Sequence, residues 1–75
     1  MMDFLTELMN QLHPDVDFTV EKHLVDDGIL DSFDIVTIVA EVDGELGITI
    51  PVEELTAENF NSLPSLLKLL KRLED

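Results

Sequence analysis

The apolar residues Phe4, Leu5, Leu8, Met9 and Leu12 recur at three- and four-residue spacing, which puts them on one side of a helix. The spacing predicts a helix over residues 2–12, with Asp3 available to serve its N-terminus and His13-Pro14 closing it. From 14 to 31 the period is lost. Val16, Phe18, Val20, Leu24, Val25, Ile29 and Leu30 are scattered among Asp15, Asp17, Glu21, Asp26 and Asp27. A connection of this length in so short a chain is uncommon and usually functional. Its apolar residues are expected to pin it across the core, and Gly28 after Asp26-Asp27 marks a turn.

The helical period returns at Ser32 and runs to Leu46. Ile35, Ile38, Val39, Val42 and Leu46 make the stripe, and Phe33 and Val36 are expected to widen it. The stretch Phe-Asp-Ile-Val-Thr-Ile-Val is rich in β-branched residues, so a strand competes. The helix is preferred because the stripe outlasts a strand, Asp31 or Ser32 can cap its start, and Gly47 stands where a helix would stop. Gly44 weakens its last turn by roughly 1 kcal/mol relative to alanine. Ile48-Thr49-Ile50-Pro51 reads as an extended link, and Val52 to Asn59 as one or two helical turns starting from Pro51. A last helix follows Ser62 as cap, with Pro64 in its first turn and Leu63, Leu66, Leu67, Leu70 and Leu73 as its buried stripe. Together these elements predict an all-α fold: a small four-helix bundle of three longer helices and one short one, with a long loop between the first and second. One domain over 1–75 is expected.

Charge changes this picture most. Seventeen acids face four bases, for a formal net charge of −13. Nucleic acid is excluded as a partner because its binding needs a cationic footprint, and an anionic membrane surface is disfavoured likewise. Basic protein surfaces are the natural partners, although acidity also serves solubility. Three of the four bases, Lys68, Lys71 and Arg72, lie near the end of the last helix, where its dipole favours cations. No apolar run approaches the roughly 20 residues of a membrane span. The start Met-Met-Asp-Phe-Leu-Thr-Glu lacks a signal peptide's basic region and cleavage site, so a cytoplasmic protein is expected; it is separately expected to be a monomer. With no cysteine, any thiol chemistry must use sulfur from an added group.

The usual catalytic and metal patterns fail. Asp15-x-Asp17-x-Thr19 opens like a calcium loop, but Val20 takes the place of the required glycine and Asp26 that of the closing glutamate. His13 and His23 are not at metal-ligand spacing and read as surface or loop-packing residues. A Gly-x-Ser-x-Gly elbow is absent, and so small a bundle can hardly enclose a catalytic cleft. The chain is expected neither to be an enzyme nor to hold a metal. What remains is the junction Asp26-Asp27-Gly28-Ile29-Leu30-Asp31-Ser32-Phe33-Asp34, which sets a serine at a helix start. Unpaired amides and the positive dipole end there favour a phosphate group on Ser32. Local pattern alone favours the plainer reading, in which Ser32 or Asp31 is an N-cap.

Leu30-Asp31-Ser32-Phe33-Asp34 resembles the Asp-Ser-Leu signature of acyl carrier proteins, with Phe33 in the leucine place. The similarity extends through Val-Asp-Asp-Gly-Ile-Leu-Asp-Ser before it, Val36, Ile38, Val39 and Val42 within it, and Gly-Ile-Thr-Ile-Pro-Val-Glu-Glu-Leu after it. It covers nearly the whole chain, the first helix being generic. The resemblance implies 4′-phosphopantetheine on Ser32, installed from coenzyme A by a separate transferase with magnesium. The arm's thiol would hold acyl or aminoacyl cargo as a thioester, and the bundle interior could shelter an aliphatic chain. Loading ligases and acyl-transfer or condensing enzymes with basic patches would dock on the second helix, at Asp31, Asp34, Glu41, Asp43 and Glu45. Thr37 and Gly44 stand where fatty-acid carriers usually have acids, and Glu58-Asn59-Phe60-Asn61-Ser62 is similar to carriers served by standalone adenylating ligases, D-alanyl carriers included. The resemblance therefore admits a general acyl carrier, a dedicated aminoacyl carrier, or an unmodified carrier-like interaction module.

Overall fold

The computed structural model describes residues Met1–Glu74, in the order α1 (Met2–Leu12), α2 (Ser32–Leu46), a single 3-10 turn (Val52–Glu54), α3 (Ala57–Phe60) and α4 (Leu63–Glu74). No strand occurs among the described residues. Helix α1 buries Leu5, Leu8 and Met9 and half-buries Phe4 and Leu12, as its spacing requires. Asp3 lies in its first turn, and Met1 takes the cap position with no side-chain cap bond. The β-branched run of α2 is helical because both ends are fixed. A capping box closes its start, and Gly47, at φ 68°, gives the left-handed stop that a side chain would resist.

Two expectations on α2 are corrected. Phe33 and Val36 are 76% and 64% exposed and do not widen the core stripe. Ile38 and Val42 carry the burial, and the third buried residue of the helix is Asp34. The reason is register: 34, 38 and 42 follow one another at four-residue steps, whereas 33, 36 and 40 lie on the outward side.

The span expected as one short helix after Pro51 is divided. The 3-10 turn ends at Leu55, Thr56 is extended (φ −115°, ψ 156°), and its hydroxyl accepts from the Asn59 amide to start α3 afresh. In α4 the deepest residues are Leu63, Leu66, Leu69 and Leu70, with Leu67 and Leu73 partly buried, so the stripe is rotated towards Leu69. The Ser62 hydroxyl accepts from the Ser65 amide, the capping role expected of it.

Fifteen buried apolar residues form one cluster. The four helices supply most of it, and Phe18, Leu24 and Leu30 from the long loop, with Ile48 and Ile50 from the extended link, complete it. The loop is thus pinned across the core, apart from Val20, which is exposed.

Candidate functional site

The approach to α2 is a closed loop. The Leu30 amide donates to the Leu24 carbonyl (2.9 Å), the Asp27 amide to His23 and the Gly28 amide to Val25. Gly28 sits at φ 76°, with open space where a side chain would stand, so backbone conformation and not crowding selects glycine there. Asn61, between α3 and α4, clamps the loop from outside. Its Oδ1 accepts from the Val25 and Asp26 amides (2.9 and 3.1 Å), its Nδ2 donates to Asp26, and its carbonyl accepts from the Leu24 amide. Burial of Leu24 and Leu30 fixes where the chain emerges, and Asp31 and Ser32 emerge exposed.

The structure separates the two candidate caps. Asp31 is the N-cap: its Oδ1 accepts from the Asp34 amide (2.9 Å), and Asp34 Oδ2 accepts from the Asp31 amide (3.2 Å). The Ser32 hydroxyl is therefore not needed for capping. It stands in the first turn of a fifteen-residue helix, where unpaired amides and the dipole favour an anion. The Thr37 hydroxyl donates back to the Phe33 carbonyl on the exposed side of the helix.

The predicted docking acids fall into three groups. Asp31 and Asp34 meet in the capping box. Asp34 is only 9% exposed, so its carboxylate belongs to the fold's interior, unlike those of the exposed residues Glu41, Asp43 and Glu45. Glu41 and Glu45, one turn apart, line a cleft with Glu7 and Gln11 of α1 over Phe4 and Leu8. Asp43 points to another side of α2. Between these acids runs an uncharged strip of Phe33, Val36, Thr37, Ala40 and Gly44.

Asp34 also accepts from His13 Nε2 at 2.8 Å. Burial opposes ionisation of Asp34, yet the bonds from His13 and Asp31, with the favourable charge interaction of His13, hold its carboxyl below the usual range. The acceptor is thus a carboxylate, and Nε2 carries the proton. His23, by contrast, is exposed and 3.9 Å from Asp26. The Asp17 carboxylate accepts from the amide and hydroxyl of Thr19, and these bonds hold its pKa low. Among the described residues no three His, Asp or Glu side chains converge as a metal site.

Sequence reasoning missed the roles of His13 and Asn61. For Asn61 no local pattern exists, because its partners lie 35 and 36 positions away. For the His13 pair the signal was present: an acid in step with Ile38 and Val42 must be buried, and a buried carboxylate needs a donor.

The phosphopantetheine attachment site family matches residues 2–73. The chain belongs to that family. No curated protein and no solved structure matches it. As a carrier domain it takes a covalently attached 4′-phosphopantetheine and works with a transferase and pathway enzymes. The residues present fit the group: the carrier domain offers an exposed hydroxyl, uncommitted to capping, at a helix start that favours a phosphodiester. No described helix is long and apolar enough to cross a membrane.

Proposed function

We propose that this single domain is an acyl carrier protein with Ser32 as its attachment point, presenting cargo to partner enzymes and catalysing nothing itself. The observation that carries the reading is the division of labour at α2, where Asp31 and Asp34 make the cap and leave the adjacent serine free. An adaptor that is never modified would gain nothing from that separation. The Ser32 oxygen forms a bond to the phosphopantetheinyl phosphorus of coenzyme A, the pyrophosphate P–O bond breaks, and the nucleotide leaves. The hydroxyl proton passes to the transferase. Once bound, the group supplies the thiol that this cysteine-free chain lacks, and acyl or aminoacyl cargo is carried on it as a thioester.

Partner enzymes are proposed to dock along α2. Glu41, Asp43 and Glu45 steer basic surfaces to it, and the bonded side chains of Asp31 and Asp34 shape its start. The exposed strip through Phe33, Val36 and Ala40 favours the narrower version of this reading, a carrier dedicated to one adenylating ligase. Apolar contact adds residence time and selectivity that steering alone does not.

The test is incubation with coenzyme A, magnesium and a phosphopantetheinyl transferase, read by intact mass. Wild type is expected to gain one phosphopantetheine and Ser32→Ala none. Unmodified wild type with several transferases, or equal modification of Ser32→Ala, defeats the assignment.

A further inference from the structure

Asp34 is the one buried charged or polar residue among those described. A carboxylate in that position stays ionised only when donors replace its lost hydration. One oxygen, Oδ2, receives two donors, His13 Nε2 from beyond α1 at 2.8 Å and the N-cap amide of Asp31 at 3.2 Å. His13 is itself anchored on both sides. Its amide donates to Met9 at the end of α1, and its carbonyl accepts from Val16. The imidazole therefore ties the end of α1 to Asp34, across 21 positions of sequence, and through the same carboxylate oxygen to the amide of Asp31, which immediately precedes Ser32. With side-chain exposures of 29% for His13 and 13% for Asp34, the pair is sheltered enough for the bond to count.

We propose that His13 is a positioning residue for the modification of Ser32. Through Asp34 it fixes the backbone of Asp31 and the first turn of α2 in the orientation a transferase must meet. Ser32 has no bond of its own in the cap, so its hydroxyl is aimed only by this framework. Loss of the imidazole leaves Asp34 with the Asp31 amide alone and lets the turn shift. This inference rests on Ser32 being the attachment point.

The experiment compares wild type, His13→Ala, His13→Gln and His13→Asn in steady-state phosphopantetheine transfer, with Ser32→Ala as the blank. A glutamine amide places an N–H where Nε2 stands, whereas an asparagine amide falls short. His13→Ala and His13→Asn are expected to lose about tenfold in kcat/KM for the carrier, the scale of one charge-assisted bond. His13→Gln is expected to recover most of it. Amide resonances of Asp31, Ser32 and Asp34 should move in the slow variants while those of Leu66 and Leu70 in α4 stay. Should His13→Ala fail to fold, the glutamine and asparagine variants carry the comparison. Wild type modified on Ser32 with all three variants equally fast overturns the positioning role alone. So does a loss in His13→Gln as large as in His13→Asn. Wild type that takes no phosphopantetheine on Ser32 overturns the attachment reading as well.

Discussion

At the scale of single residues, the site turns on which of two neighbouring cap formers caps. Aspartate and serine both accept from helix amides, so the sequence leaves Asp31 and Ser32 equivalent. Geometry separates them, because Asp31 alone has the extended backbone (φ −101°, ψ −176°) from which a side chain reaches back. Asp34 was read from its charge as a docking acid, although its register with Ile38 and Val42 puts it inside. Its ionisation has a consequence for acid stability. The folded carboxyl titrates below its ordinary value, so its contribution is fully present above that ordinary value and is lost as pH falls through the folded one. Asp34→Asn cannot lose a charge. At neutral pH wild type should therefore melt higher than Asp34→Asn, and the two curves should converge below about pH 4. Melting curves that stay parallel through the acid range would show that the fold does not lower the Asp34 pKa below its ordinary value.

Helices α1, α2 and α4 were legible as elements, within the usual uncertainty of their ends, because each keeps its apolar period for three turns or more. The span after Pro51 was not. Its division depends on the extended backbone of Thr56, and a run of Glu-Leu-Thr-Ala-Glu gives no periodic signal of a break. The loop before α2 was legible as a connection pinned across the core with a turn at Gly28, but its clamp was not, since that comes from Asn61, far along the chain. Glycine illustrates how position within an element decides a substitution's sign. Gly44 lies inside α2 with open space around an added Cβ, whereas Gly47, three residues on, ends the helix at φ 68°. Gly44→Ala should stabilise by about 0.5–1 kcal/mol, because helix propensity rises and nothing is crowded. Gly47→Ala should destabilise by about 1 kcal/mol, because alanine resists the left-handed conformation. Thermal melts should move in opposite directions, by roughly 4–8 °C per kcal/mol in a domain of this size. Two shifts of the same sign would refute the helix end drawn here.

For the molecule as a whole, charge was fully legible as a sum but not as an arrangement. Seventeen acids and four bases are distributed over a body of 31 × 23 × 20 Å. Among the described residues the ion pairs are His13 with Asp34, His23 with Asp26, and Arg72 with Glu54. The last is two-pronged, at 2.9 and 3.2 Å, and the Arg72 guanidinium holds Glu54 below its usual range while fastening the 3-10 turn to α4. Most acids are left to repel one another. At about 0.01 M salt the screening length is about 30 Å, so charges interact across the entire molecule, and at about 0.1 M it is about 10 Å, so only neighbours do. Raising sodium chloride between those values should therefore raise the melting temperature, with most of the gain complete by about 0.1 M. Screening also weakens the Arg72 bridge, but an exposed pair contributes at most about 1 kcal/mol, so the net sign stays positive. Magnesium at matched ionic strength should raise it further, because a divalent ion collects beside crowded carboxylates. A melting temperature unchanged by either salt would mean that the acids sit far enough apart to coexist without strain. The steering proposed for α2 would stand apart from that outcome, because it draws on the long-range field of the net charge of −13 and not on strain among neighbouring acids.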